Sequence, residues 1–264
     1  MSHPNKPPLT LEERVAIRPK TERIDFDVEA QIIGELDGVL FLNKPAGWPT
    51  SGRSLEDPDC LQHRLMSHAG RMIWAIHQLD GDTSGLNVFT RRRGRVPHWQ
   101  KRLHFPQARK EYLAIVHGQV RGPLKIDDPI GRRQDGTWGV SEDGKSALTL
   151  ATPVISTEAY SLLRVHLRTG RTHQIRVHLS HHGHPLVGEF WYNDAPCTLA
   201  ERHMLHAWRT RFDRQEEPGC VLAAVPEDFR EVAAKLGVPV PSMEDGHPTD
   251  RSAVLLHVPK SESA

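Results

Sequence analysis

Between Ser161 and Arg168 the chain alternates without a break: Leu163, Val165 and Leu167 face one way, Arg164, His166 and Arg168 the other. Side chains of an extended strand point to opposite faces in turn, so this pattern predicts a half-buried strand with a basic outer face. Gly170 breaks the strand, and Thr172 stands where it can cap a short helix running through His181. On that helix Ile175 and Leu179 are four apart and share the core-facing side. Strand, glycine turn and short helix, in that order, frame the rest of the chain.

Other segments fall in with this frame. From Gly38 the run Gly-Val-Leu-Phe-Leu predicts a buried strand, stopped by Asn43-Lys44-Pro45-Ala46-Gly47. Tyr112 to Val116 predicts a second, ending at Gly118. Phe229, Val232, Ala233 and Leu236 follow helical spacing, with Pro226 before them and Gly237 after them as start and stop signals. Several strands with few helices between them predict an α+β fold: a mixed, largely antiparallel sheet flanked by helices. The two ends are proline-rich, charged and without a clear period. The expected organisation is therefore an N-terminal extension over residues 1–28, one folded domain over 29–237 and a C-terminal tail over 238–264.

Bulk properties narrow the class. The chain of 264 residues is 38% hydrophobic and 25% charged, ordinary for a globular protein and too apolar for wholesale disorder. It has no apolar run of about eighteen residues, the length a membrane helix needs, and its N-terminus has no apolar signal core. Cys60, Cys197 and Cys220 are odd in number and far apart, which fits a reducing cytoplasm better than a disulfide framework or a cysteine zinc site. Net charge is only +1, but the basic residues are clustered. Arg91, Arg92, Arg93 and Arg95 form one run, Lys101, Arg102, Arg109 and Lys110 follow, and Arg164, Arg168, Arg171 and Arg176 form another group. Such clusters can neutralise phosphates locally on a nearly neutral protein.

Three segments carry chemistry. His77-Gln78-Leu79-Asp80-Gly81-Asp82-Thr83-Ser84-Gly85 places a carboxylate among turn-forming residues, where a substrate can reach it. Alone, such a segment is ordinarily a capped turn. Arg168-Thr169-Gly170-Arg171-Thr172-His173-Gln174-Ile175-Arg176-Val177-His178 sets arginines around a glycine turn that opens a helix, an anchor for a phosphate or a carboxylate. His173 and His178 are five apart, off one helix face, and no Glu stands between them as in a His-Glu-x-x-His zinc motif, so no metal site is expected. Lys110-Glu111-Tyr112-Leu113-Ala114-Ile115-Val116-His117-Gly118 is a strand with an aromatic near its start.

Together and in this order the segments resemble the RluA-type RNA pseudouridine synthases. Asn43-Lys44-Pro45-Ala46-Gly47, Gly144-Lys145-Ser146-Ala147, Gly183-His184-Pro185-Leu186-Val187-Gly188-Glu189 and Leu205-His206-Ala207 are similar to further motifs of that family, and the likeness runs over about residues 37–236. The resemblance implies the pseudouridine synthase catalytic fold, here without an S4-type module, with RNA bound across a basic cleft. It implies Asp80 as catalytic aspartate, Tyr112 as the ring against the target base, Arg176 as the partner of Asp80, and Ile175 as its apolar neighbour. His77, Gln78, Thr83 and Arg171 are expected around the pocket, and Arg91, Arg92 and Arg93 as phosphate contacts. Two departures stand out: Gln78 where the family has arginine before Leu-Asp, and Glu189 where it has aspartate.

Isomerising a uridine breaks its C1′–N1 bond, turns the uracil and rejoins it through C5. The base must be flipped out of its stack at a cost of a few kcal/mol. An aromatic ring offsets part of this by stacking, on the order of 1–3 kcal/mol. A nearby arginine favours the charged form of a carboxylate. Whether Asp80 attacks C1′, adds to C6 or removes a sugar proton stays open at this point. The reaction requires neither cofactor nor metal. The expected partner is ribosomal or transfer RNA, with no membrane and a monomer as the family default. The rival expectation is an RNA-binding or assembly protein of the same fold with altered catalysis, Gln78 being its trace.

Overall fold

The computed structural model describes residues 13–14, 25–193, 199–212 and 219–241. Strands β1 (Ile32–Leu36) and β2 (Val39–Lys44) form a hairpin closed by Asp37-Gly38, both at positive φ (49° and 76°). Positive φ at both turn residues matches the twist of the flanking strands, and Asp-Gly is a pair suited to it. The chain continues through α1 (Leu61–Ala69), β3 (Trp74–Ala75), β4 (Ser84–Thr90), α2 (Val96–Arg102), β5 (Ala108–His117) and β6 (Leu124–Ile126). Then come a short hairpin of β7 (Ile130–Arg132) and β8 (Trp138–Val140), followed by β9 (Thr149–Ser156), β10 (Tyr160–Leu167), α3 (Gln174–His181), β11 (Leu205–Phe212), β12 (Cys220–Leu222) and α4 (Glu227–Lys235).

The main sheet runs β1-β2-β4-β11-β5-β10-β9-β6, with β12 on β11 and β3 on β4. Every pairing is antiparallel except β4 with β11. At that parallel junction Gly85 has φ +106°, and a Cβ on it would lie 2.2 Å from the Ala207 carbonyl oxygen, so the two strands meet only because residue 85 has no side chain. The mixed, largely antiparallel sheet of an α+β fold is what the strand pattern predicts.

Central strand β5 explains how the sheet is covered. Tyr112, Ala114 and Val116 turn to one face, where Ile175 and Leu179 of α3 join their cluster. Leu113 and Ile115 turn to the other, against Phe229 and Ala233 of α4. A strand buried on both faces reads as a continuous apolar run, as 112–116 does. Both helices thus present the apolar spacing expected of them.

Three expectations need adjustment. Thr172 is exposed and does not cap α3: the residue before the helix is His173, at φ 54°, no side chain caps the helix there, and the side chain of Gln174 ties down the turn before it. Its Oε1 accepts from the Thr169 hydroxyl (2.8 Å) and the Arg171 N–H (3.0 Å). Nor is the outer face of β10 simply basic, because Glu111 stands among Arg164, Arg209 and Arg211 and pairs with them. Finally, packing passes the expected limits of 29–237 at both ends. Phe26 lies edge-on to Trp48 with ring centroids 5.3 Å apart, Val28 is buried, and Val238 is fully buried beside α4. Most of the expected extension and tail lies outside the described residues. No helix among the described residues is long and apolar enough to cross a membrane.

Candidate active site

Asp80 sits in the loop between β3 and β4, and polar bonds pin that loop from beneath. The Thr83 N–H donates to the Asp80 carbonyl (3.0 Å), closing a turn that starts at Asp80. The Leu79 N–H donates to Thr50 Oγ1 (3.0 Å), and Thr83 Oγ1 lies 2.8 Å from His203 Nε2. Lys44, fully buried at the end of β2, donates to the carbonyls of Gly81 (2.7 Å), Trp48 (2.7 Å) and Pro45 (3.0 Å). Burial pulls its pKa down to about 7, with Asp82 opposing the fall. Lys44 therefore acts on the loop's backbone, not on the cleft.

Above the loop is a cleft of about 290 Å³. Its apolar lining comes from Leu79, Tyr112, Leu167, Ile175 and Leu205; its polar lining comes from Asp80, His173, Arg176, Gln78, Lys110 and Arg171, among others. Asp80, Tyr112, Arg176, Ile175, Gln78, His77, Thr83 and Arg171 all meet here. They come from β5, α3 and two separate loops, so only the sheet brings them together.

The charges are arranged around Arg176, which is 4% exposed. Its Nε and Nη2 donate to the two oxygens of Glu189, each at 2.8 Å, and its Nη1 donates to Asp80 Oδ2 at 3.0 Å. Burial alone would lower the Arg176 pKa, but Glu189 and Asp80 raise it instead, so the guanidinium stays charged. Glu189 is fully buried, which by itself favours the neutral acid; Arg176 and the N–H groups of Trp191 and Tyr192 outweigh this and hold it below the usual carboxylate range. The turn that delivers Glu189 depends on Gly188 (φ +76°), where a Cβ would lie 1.9 Å from the Arg202 carbonyl oxygen. A bidentate pair on one side fixes the plane of the guanidinium and leaves one N–H for Asp80.

Two more groups flank Asp80. His173 Nε2 is 3.7 Å from Asp80 Oδ1, too far for a hydrogen bond, while its Nδ1 lies 2.5 Å from the Tyr192 hydroxyl. Burial lowers the His173 pKa against the pull of Asp80, which favours the neutral ring. One Asp80 oxygen is thus anchored and the other accepts no hydrogen bond among the described residues. Tyr112 is nearly buried, and burial together with Asp80 raises its pKa, so it is a neutral phenol ring facing the carboxylate across the cleft.

Arg91, Arg92 and Arg93 are not at the cleft. They follow the far end of β4, about 20 Å from its Ser84 end at roughly 3.3 Å per residue. Arg91 pairs with Glu35 (3.3 Å) and Arg92 with Asp37 (3.1 Å), and Arg95 also pairs with Asp37. Adjacency in sequence put these arginines together, but the length of the strand carries them away from the site. His173 and His178 diverge as well: His178 bonds Thr149 and the Asp128 carbonyl on the opposite side of α3. Among the described residues no three His, Cys, Asp or Glu side chains are grouped to hold a metal ion. Residue types alone did not single out Glu189 or Tyr192 as groups behind the cleft. Glu189 drew notice only as a departure from a motif, and its contact with Arg176 spans thirteen residues and a buried turn.

With this geometry in place, comparison with known proteins becomes informative. The family model described as RNA pseudouridylate synthase matches residues 38–181. Ribosomal large subunit pseudouridine synthase C of Vibrio parahaemolyticus is 31% identical over 218 residues, covering 78% of this chain and 69% of that protein. An RNA pseudouridine synthase of Helicobacter pylori is 38% identical over 138 residues, or 51% of this chain; the match spans just over half of that relative's length, 57%. Among solved structures, human RNA Pseudouridylate Synthase Domain Containing 1 aligns with a TM-score of 0.63 at 27% identity, covering 78% of this chain and 87% of that one.

Proposed function

Because the chain belongs to the RNA pseudouridylate synthase family, we propose that it isomerises uridine to pseudouridine in RNA, with the Asp80 carboxylate as the reacting group. The observation that carries this reading is the half-anchored aspartate: Arg176 fixes Oδ2 at 3.0 Å, while Oδ1 is left open toward a cleft bounded by the Tyr112 ring. A target uridine would enter flipped, its base lying on Tyr112 and its sugar against Asp80. The C1′–N1 bond breaks, the uracil turns, C5 bonds to C1′, and the C5 proton leaves as N1 gains one. Atoms balance without a redox step. Arg176 holds the carboxylate's orientation and charge, Ile175 and Leu79 exclude water, and Gln78 stands at the rim, where it would meet the partner left by the flipped base.

Relatives named as ribosomal large subunit pseudouridine synthases make ribosomal RNA the first substrate to test and transfer RNA the second. The unit we assign to this activity runs from Phe26 to Val240, acting as a monomer in the cytoplasm. Phosphate contacts fall in this reading to basic residues at the cleft, with Arg91, Arg92 and Arg93 too distant to take part. The test is to map pseudouridines in the RNA of a strain lacking the gene, then to complement with wild type or Asp80→Asn. A site lost on deletion and regained only with wild type supports the proposal. Regain with Asp80→Asn, or no change on deletion, would point instead to an RNA-binding protein without this chemistry.

A further inference from the structure

Lys110 is a cation in the cleft with nothing among the described residues to neutralise it. It lies two residues before Tyr112 on β5, so both side chains leave the same face of the sheet, about 7 Å apart along the strand. It lines the cleft with Tyr112, Gln78 and Arg171, and a Cβ on Gly170 would lie 4.0 Å from its Nζ. Lys110 is half-buried and, among the described residues, its ammonium has no hydrogen bond or ion pair. Its titratable neighbours give no relief: burial and then the charge of Lys110 depress the pKa values of His77 and His104, so neither ring offers a counter-charge. Burial lowers the pKa of Lys110 itself. Every other cation near the reacting carboxylate is engaged. Arg176 holds Glu189 and Asp80, and Arg171 donates to the Ser146 carbonyl (2.9 Å). Gln78 at the rim is uncharged and accepts from the Ser51 hydroxyl (3.1 Å).

An unpaired, half-buried ammonium is poorly placed unless something anionic completes it. No group among the described residues supplies that anion, and the cleft is open to a ligand that would. We infer that Lys110 is the phosphate anchor of the cleft, its ammonium binding a backbone phosphate of the flipped target nucleotide and so setting how far the base enters over Tyr112. This rests on the reading that the cleft takes RNA, and it names the group that holds the nucleotide rather than the group that reacts. Lys110 is then a binding residue, acting on affinity and not on the reacting atoms.

The experiment uses the full-length protein and the ribosomal RNA transcript whose uridine the wild type converts, with pseudouridine formation followed against RNA and salt concentration. Lys110→Gln should raise KM about tenfold with kcat within about threefold, the loss of one charged hydrogen-bonded contact. The slope of log KM against log salt should become shallower by about one, because one fewer phosphate is neutralised. Lys110→Arg should recover most of the loss, which a damaged fold would not. Gln78→Arg in the Lys110→Gln background should recover part of it by returning a cation to the same cleft. The inference is overturned if Lys110→Gln leaves KM and its salt slope unchanged, or if it lowers kcat at saturating RNA with KM intact. If the wild type itself converts no uridine, the functional reading has failed rather than this one.

Discussion

Near the Ser84 end of β4, Arg176 is 4% exposed and holds two carboxylates; beyond the Thr90 end, Arg92 has a side chain 60% exposed and leans on Asp37. Both are arginines paired with acids at ordinary distances. The difference lies in what surrounds them. In water an ion pair is screened and contributes about 0–1 kcal/mol. Out of water, removing one member strands a charge and costs about 3–5 kcal/mol. Burial therefore turns the same pairing from a surface detail into a device that fixes the position of one carboxylate oxygen. The richer arginine cluster in the sequence is the less consequential one in the fold.

The largest way to test that contrast is to remove the carboxylate that the buried arginine presents. Asp80→Asn should lower kcat at least about a thousandfold, while RNA affinity stays within about twofold, because only the reacting group is lost. A similar fall in affinity would mean that Asp80 serves binding. Next comes the hidden partner. Glu189→Gln should destabilise the fold by about 3–5 kcal/mol in urea unfolding, since it breaks the bidentate pair and leaves Arg176 one carboxylate instead of two. It should also lower kcat more than it raises KM. Asp37→Asn at the other end should cost no more than about 1 kcal/mol. Equal costs at the two ends would erase the distinction between them.

What could be read from the sequence follows the same division. The alternation in 161–168, the apolar run 112–116 and the helical spacing from Phe229 to Leu236 announce their elements because burial acts on neighbours in sequence. Asp80, Tyr112 and Arg176 were found because a family resemblance supplied the long-range link that local pattern lacks. Glu189 entered only as a departure from a motif and Lys110 only as one member of a basic cluster, for one physical reason. A buried acid or an unpaired ammonium has meaning only through the group it faces, and those groups lie on other strands and loops. Thr172 shows the converse: a good capping residue by type, but the helix starts after His173, whose backbone is at positive φ, so Thr172 stands one residue too early.

A third difference between the two ends is their response to acid. His206, fully buried beneath the cleft between Ser84 (3.0 Å) and the Ala223 carbonyl (3.3 Å), is held neutral by burial, its pKa lowered to about 4. His203 is lowered too, by burial and then by Arg176. A histidine whose folded pKa lies below its unfolded value of about 6.5 takes up a proton on unfolding throughout the interval between them. Stability should then fall as pH drops from about 6.5 toward about 4, His206 alone accounting for on the order of 3 kcal/mol. The Glu189 contribution is lost only lower still, because its folded pKa is depressed and its stabilisation persists until pH falls through that value. Urea unfolding at pH 7 and pH 4.5 measures this directly, and His206→Asn should flatten the profile. A wild-type profile already flat over that range would show that these rings are not held neutral by the fold.

The smallest effect is expected where the sequence looks most like a nucleic-acid binder. Arg91, Arg92 and Arg93 are basic and consecutive, which on composition alone would make them phosphate contacts. In the fold Arg91 and Arg92 already face Glu35 and Asp37, so part of their field is cancelled before RNA arrives. They also stand a strand's length from the cleft. Replacing all three with glutamine should change KM by less than about twofold and leave its salt slope unaltered, because no condensed counterion is released by arginines that touch no phosphate. A slope shallower by about three would mean that the RNA wraps the whole length of β4, and that the far end is an arm of the binding surface after all.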